Sequence, residues 1–356
     1  MIPRLAQPLR RALIPLFVLA GLTVSSCGRD TTAPSPPGIE PTAPIEMPAS
    51  GLSLALATQS RHTDRLLGIK GVVGTAVGVD HQGKAEMRVF TRDANVRGLP
   101  TILDGTPVSV VVTGPIRSLV ATASAGAATA AVNPRARFPR PVPIGVSTGN
   151  RGECISGTIG ARVKRGTSFF ALSNNHVYAL GNTAPLGSVV LQPGQADANC
   201  AAGANARLGT LSRFVRIVFS QTASNRVDAA IASVTTANLR RSTPSDGYGV
   251  PRAATISAAL NQTVRKYGRT TGYTSGKVVG LNATVFVEYN PGQIARFVGQ
   301  IVVQSASFSR PGDSGALIVD ANRRPVGLLF AGGGIYTFAN PISNVLSALN
   351  VTIDGN

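Results

Sequence analysis

Short runs of β-branched and aromatic residues, separated by Gly, Asn and Pro, recur along residues 144–356. They cover 158–163, 169–173, 189–191, 214–219, 229–234, 263–267, 277–281, 285–289, 297–304, 316–319 and 326–330. Many short strands punctuated by turn residues predict an all-β sandwich or barrel. Residues 345–349 predict a short closing helix. Upstream the pattern differs. Residues 52–69 place Leu54, Leu56, Leu66 and Leu67 at helical spacing, and 72–79, 86–91 and 107–112 read as strands. A small α/β domain is therefore expected over 52–116. Between the two regions, 121–131 is low-complexity Ala/Thr/Ser/Gly and 133–143 is rich in Pro and Arg. That composition predicts an exposed, unstructured and cleavable linker over 117–143.

Composition narrows the picture. Hydrophobic residues make up 43% of 356 and charged residues 14%, enough for a sizeable core and too apolar for global disorder. The net charge of +18 suits anionic polymers or surfaces. However, no basic helix, zinc-finger spacing or RNA-binding signature is present, and tryptophan is absent. No specific nucleic-acid partner is expected.

The first residues read as an address. Arg4, Arg10 and Arg11 precede a short apolar stretch over 12–23, too short to span a bilayer comfortably. Val24-Ser25-Ser26-Cys27 follows and resembles the bacterial lipobox, in which the cysteine is acylated and becomes the mature N-terminus. The resemblance implies residues 1–27 as signal and lipobox, lipidation at Cys27, and a bacterial envelope location. Gly28 after the cysteine points to the outer membrane by that family's sorting habit. Residues 28–51 are rich in Pro and Thr and read as a tether. With Cys27 lipidated, Cys154 and Cys200 remain as one disulfide pair in an oxidising compartment. Two free buried thiols are the alternative.

The sharpest chemical signal is Pro311-Gly312-Asp313-Ser314-Gly315. A glycine-flanked turn exposes a serine hydroxyl and aims backbone N–H groups at one spot, as acyl transfer requires. His176 lies upstream in Leu172-Ser173-Asn174-Asn175-His176-Val177, and Asp228 between them opens an apolar run. His176 is the only histidine after residue 143. One histidine and two cysteines expected to pair leave no metal ligand set. Gly332-Gly333-Gly334 lacks the helix and fingerprint of a nucleotide loop. No cofactor is expected.

The order His, Asp, Ser is that of the chymotrypsin arrangement. Residues 144–356 resemble the chymotrypsin-fold serine endopeptidases, and among them the bacterial streptogrisin and α-lytic type. Besides the nucleophile loop, the likeness is carried by Gly268-Arg269-Thr270-Thr271-Gly272, by residues 277–285, by residues 326–333 and by residues 337–342. The resemblance implies two packed six-stranded-type β-barrels with the active site in the crevice between them. It implies Ser314 as nucleophile, His176 as general base and then acid, and Asp228 as the group that orients the imidazole. The N–H groups of Gly312 and Ser314 would form the oxyanion hole. Phe308, Phe330, Ala331 and Gly332 would line the substrate cleft, and Asp313 would brace the nucleophile loop. Phe308 offers no acid for a basic side chain, so a small or medium apolar side chain is expected there. Departures are the Ser-Asn-Asn context of the histidine, the missing cysteine beside it, and Ala316 after the nucleophile motif.

The leading expectation is an envelope-tethered serine endopeptidase acting on protein or peptide substrates. A catalytically silent binding scaffold and an esterase with the same triad are the alternatives. In streptogrisin-type relatives an N-terminal pro-region is cut away. The α/β domain is therefore either such a pro-region, shed near residues 134–143, or a permanent spacer.

Overall fold

The computed structural model describes residues 49–122 and 132–356. The signal segment, Cys27 and nearly all of the expected tether lie outside the described residues. Among the described residues no helix is long and apolar enough to cross a membrane.

The first elements are α1 (Ala49–Leu67), β1 (Val72–Val79), β2 (Ala85–Thr91), β3 (Ile102–Leu103), β4 (Thr106–Val112) and β5 (Arg117–Ser118). Next come β6 (Ser147–Asn150), β7 (Gly157–Thr158), β8 (Ala161–Arg165), β9 (Ser168–Ser173), α2 (Asn175–Tyr178), β10 (Val189–Leu191), β11 (Arg207–Phe214) and β12 (Ala230–Val234). The last group is β13 (Thr263–Gly268), β14 (Gly272–Asn290), β15 (Gln293–Gln304), β16 (Leu317–Asp320), β17 (Pro325–Gly333), β18 (Tyr336–Pro341), α3 (Ile342–Leu349) and β19 (Thr352–Ile353).

Strands β13, β16, β17, β18, β15 and β14 lie side by side, and β14 pairs back onto β13, closing a six-stranded barrel. A second sheet runs β19-β8-β9-β12-β11-β10-β6-β7. Ile159, between β7 and β8, accepts the Gly145 N–H (2.6 Å) and donates to Val146 O (3.0 Å), both just before β6, while Gly160 N–H donates to Leu172 O of β9 (2.8 Å), so the chain running from β7 into β8 bridges β6 and β9 and closes this sheet. One apolar cluster fills the first barrel with Val163, Leu172 and Ile231 and reaches across to Leu328 of β17; another, with Val264, Val303, Phe308 and Ile318, fills the second barrel. The strand pattern led to the expectation of a sandwich or barrel; the double barrel is the arrangement that the resemblance implied.

The N-terminal unit does not stand apart. β1 pairs antiparallel with β14, setting Gly74 opposite Val285 and Val77 opposite Leu281, so β1, β2, β4 and β3 extend the sheet of the second barrel. Helix α1 lies on this extension. The leucine Leu54 stays largely exposed, while Ala55, Thr58, Gln59, Thr63 and Leu66 are buried. Buried polar groups need partners, and these have them. Gln59 Nε2 donates to Asn282 O of β14 (2.8 Å), and Thr63 and Thr75 share a hydroxyl bond (2.9 Å).

Two readings of local pattern change. The runs 277–281 and 285–289 form one strand, β14; Asn282 takes φ 52°, and the register with β15 shifts around it, as at a bulge. The alternating run 214–219 is not a strand. Asn182 bonds both the N–H and the O of Ile217, and Asn225 does the same for Val218. Side-chain amides thus replace a neighbouring strand.

The linker expected over 117–143 is, where described, ordered and bonded. Residues 117–118 are strand β5, which pairs with β17 and β14. Further on, Pro134 O accepts the Ser147 N–H, Phe138 N–H donates to Gln192 Oε1, and Val142 is buried beside Leu239. A cut at 134–143 therefore has no loose strand to act on.

Candidate active site

His176 sits where β9 runs out into the single turn of α2. Two asparagines fix this corner. Asn174 Nδ2 donates to Asp228 O (2.6 Å), and Asn175 Nδ2 donates to Val215 O (2.7 Å). They tie the histidine turn to the segment that carries Asp228, in a corner that holds no cysteine. Asp228 is held from the other barrel as well. Its N–H donates to Asn340 Oδ1 (3.0 Å), Asn340 Nδ2 donates to Gln300 Oε1 (2.7 Å), and Gln300 Nε2 donates to Arg226 O (3.0 Å).

The Asp228 carboxylate is fully buried and surrounded by donors. Oδ1 accepts the His176 backbone N–H at 3.2 Å. Oδ2 lies 2.5 Å from His176 Nδ1 and accepts the Tyr289 hydroxyl at 2.7 Å. Tyr289 was read from sequence only as the end of a strand. It comes from β14, crosses to the other barrel, and packs its ring edge-on against His176 and Phe219. Burial, reinforced by the Asp228 charge, pushes its pKa well above the ordinary tyrosine value. It therefore remains a proton donor. His176 Nε2 is buried and makes no hydrogen bond.

Ser314 lies in the loop between β15 and β16. Gly312 takes φ +103°, and a Cβ there would come 2.3 Å from Thr270 Oγ1, so the turn requires glycine. Asp313 braces the loop from within. It is buried and accepts the N–H groups of Thr270 (2.8 Å), Thr271 (3.2 Å) and Arg310 (3.0 Å), plus the Thr271 hydroxyl (2.7 Å). Lys266 Nζ, also buried, is 3.8 Å away. Burial lowers its pKa to about 8 against the opposing pull of Asp313. Thr158 joins the loop to the first barrel: its N–H donates to Ser314 O (2.8 Å) and its hydroxyl to Gly312 O (2.9 Å).

The N–H groups of Gly312 and Ser314 converge on one oxygen, the carbonyl of Leu119, at 2.5 and 3.5 Å. The Ser314 hydroxyl accepts the Leu119 N–H (3.1 Å) and donates to Phe330 O (3.2 Å). Phe330, Ala331 and Gly332 of β17 form the wall along which residues 117–119 run. Phe330 O accepts the Leu119 N–H at 3.2 Å, and Ala331 and Gly332 stand opposite Ser118 and Arg117. A Cβ on Gly332 would meet Leu119 Cδ1 at 2.9 Å. Phe308 is buried in the same apolar cluster as Leu119. The sequence-predicted residues are thus gathered in the crevice between the barrels. The segment that fills it was not predicted; Leu119-Val120 merely precedes the low-complexity run. Cys154 and Cys200 form a disulfide. Among the described residues, no cluster of His, Cys, Asp and Glu has the makings of a metal site.

No family model matches the chain. Streptogrisin-A of Streptomyces griseus is 37% identical over 102 residues, which are 27% of this chain and 32% of that protein. Serine protease 2 of Streptomyces fradiae is 40% identical over 78 residues, 22% of this chain and 41% of that protein. The chain thus spans about a third to two fifths of the length of these curated relatives. Among solved structures, Thermobifida fusca Protease A aligns with a TM-score of 0.43 at 19% identity, covering 60% of this chain and 100% of that one. An α-lytic protease homolog, N4, aligns with a TM-score of 0.43 at 18% identity, covering 59% of this chain and 99% of that one. Over part of its length the chain thus resembles trypsin-like bacterial serine proteases of the streptogrisin type, on a double barrel whose crevice holds His176, Asp228 and Ser314.

Proposed function

We propose that the chain is a serine endopeptidase. The observation that carries this reading is the carbonyl of Leu119 held by the N–H groups of Gly312 and Ser314, with the Ser314 hydroxyl on the same residue's N–H. Donors so placed stabilise the charge that develops on a carbonyl oxygen under attack. In this reading Ser314 is the nucleophile, and its hydroxyl turns from Phe330 O to the unpaired Nε2 of His176. His176 takes the proton and returns it to the leaving amine. Asp228 fixes the Nδ1–H tautomer and stabilises the imidazolium. An acyl-enzyme on Ser314 is the intermediate, and protein or peptide is the substrate.

The test is labelling with a fluorophosphonate and hydrolysis of a peptide library by wild type, Ser314→Ala and His176→Ala. Both substitutions should lower hydrolysis by several orders of magnitude, since members of such a set act as a unit. A Ser314→Ala chain that keeps near-full hydrolysis would sink the serine mechanism. A wild-type chain that neither takes up the probe nor cleaves any peptide would favour a binding scaffold.

We also propose an envelope location through lipid on Cys27, a reading supported by the sequence around that residue. Cys27→Ser should yield a soluble or uncleaved form. Wild-type protein found wholly in the medium without lipid would refute the anchor.

A further inference from the structure

We infer that the first barrel carries a second binding site, a groove that takes sulfate or phosphate ester groups on a sugar chain. It owes nothing to the serine chemistry and stands whether or not that chemistry does. Three exposed arginines, Arg137, Arg140 and Arg207, meet there. The first two lie on the segment that leads to β6, and the third opens β11. Arg137 Nη2 donates to Asn205 O at 2.9 Å, and Arg140 Nη2 donates to the same oxygen at 3.4 Å. The two guanidinium groups are therefore only two hydrogen bonds apart. Arg140 is braced further by Asn238 Oδ1 at 2.9 Å and by the carbonyl of Arg207.

A groove of about 690 Å³ and a smaller one of about 450 Å³ adjoin at Arg137, Arg140, Asn205 and Leu208. Among the described residues no acidic side chain lines either. The chain has 16 acids against 34 lysines and arginines, and those of the barrels are engaged elsewhere: Asp197 with Arg269, Asp320 with Arg324, Asp354 with Arg162. Cations held this close repel one another, and an anion between them turns the repulsion into attraction. Guanidinium forks match the oxygens of a sulfate or phosphate ester. Arg140 is already fixed by its bonds to the protein, so less freedom is lost when it binds.

The rest of the lining points to a sugar as the carrier. Thr210 of β11 stands opposite Ser233 of β12, and Thr235 and Asn238 follow along the same wall. Hydroxyl and amide groups suit the hydroxyls of a saccharide. The larger groove has no aromatic ring in its lining, so a nucleic-acid base has nothing to stack on. It is also concave, whereas a bilayer presents a flat surface. Ser233 lies further along β12 than its Asp228 end, about 16 Å from Asp228 at the rise of a strand. A bound chain therefore leaves the crevice open, and the groove docks the protein on acidic polysaccharide while Ser314 stays accessible.

The experiment measures binding of the purified full chain to a heparin hexasaccharide, to dextran phosphate, to neutral dextran, to oligothymidylate and to vesicles of phosphatidylglycerol, at about 50 and 200 mM salt. Expected is binding of heparin or dextran phosphate, and none of neutral dextran. The triple variant Arg137→Gln, Arg140→Gln, Arg207→Gln should weaken it about 30-fold, at about threefold for each exposed ion pair, and lower the salt slope by about three. A control triple at Arg151, Arg165 and Arg252, exposed residues outside the groove, removes the same charge and should cost less than about threefold. Thr235→Glu, which leaves the arginines and their bonds in place, should weaken binding as well, and neither variant should change hydrolysis of a small peptide. Equal losses in the two triples would mean diffuse charge and overturn the site. So would no binding of either charged saccharide, or tighter binding of oligothymidylate or of vesicles than of both, which would assign the groove to nucleic acid or to lipid.

Discussion

Tyr289→Phe probes the least expected part of the site. The substitution removes one oxygen and keeps the ring, whose edge contacts with His176 and Phe219 persist at 5.6 and 5.4 Å. What is lost is a 2.7 Å bond to a carboxylate with no access to water. A hydrogen bond to a buried charge contributes about 1.5–3 kcal/mol. Stability should fall by that amount, measured by urea unfolding in a Ser314→Ala background so that proteolysis does not intervene. The rate should respond differently. Freed of one donor, Asp228 holds a larger share of its charge for the imidazolium. The acid limb of the pH profile of kcat/KM should then move to higher pH, by about one unit for each 1.4 kcal/mol of the bond so redirected. Tyr289 acts through Asp228, so KM should stay unchanged while the acid limb moves. If unfolding and the acid limb are both unchanged, the hydroxyl carries nothing and the assignment of Tyr289 as a positioning residue is wrong.

Other outcomes follow from geometry already described. Gly332→Val sets methyl groups where Leu119 Cδ1 now lies; hydrolysis of library peptides should slow at least tenfold and preference should shift to smaller side chains, as followed by mass spectrometry. Opening the Cys154–Cys200 bridge, which closes a loop of separation 46 around His176, should cost about 3–4 kcal/mol in the chain-entropy account. Equal urea midpoints for wild type and the double Cys→Ser variant would contradict it. Stability should also depend on alkaline pH in two opposing ways. The Lys266 pKa is lowered to about 8 in the folded chain. From there to the ordinary 10.5 only the unfolded chain holds the extra proton, and stability rises with pH. The pKa values of Tyr178, Tyr248, Tyr267 and Tyr289 are raised, chiefly by burial. From near 10 upward the unfolded chain therefore ionises first, and stability falls. A maximum at roughly pH 9–10 is expected, and a steady decline from pH 8 would refute the Lys266 part.

The all-β character was legible because its strands are short, apolar and bounded by turn residues, which is a local signal; that the strands close into two barrels came only from the resemblance of the motifs. The strand Val189–Leu191 appears where its β-branched run lies. β6 was not legible, since Ser-Thr-Gly-Asn has no apolar residue. It is nevertheless fully buried, its polar groups bonded to Tyr178 O, Ser188 and Leu191 O. Likewise α1 was expected from leucine spacing, yet its buried face is largely Thr and Gln, a face that hydropathy cannot rank. His176 could be picked out because histidine is rare in this chain, Ser314 because of its glycine-flanked motif, and Asp228 because it opens an apolar run. Tyr289, Asn174 and Asn340 could not, because each matters only through a partner distant in sequence. The crevice-filling segment was hidden most deeply. Its role lies in where backbone atoms go, and composition next to a low-complexity run says nothing of that.

The ladder between β1 and β14 has a bearing on solubility. β1 covers the middle of β14, opposite Leu281, Thr284 and Val285. Without that cover, the stretch Gly280-Leu281-Asn282-Ala283-Thr284-Val285-Phe286 would offer bare N–H and C=O groups on an open sheet edge. It contains no lysine and no proline, the residues that usually blunt such edges. A barrel freed of residues 49–119 would present a template for another chain's strand. The β1–β14 ladder therefore decides whether the barrel stays single or finds a strand from a neighbour.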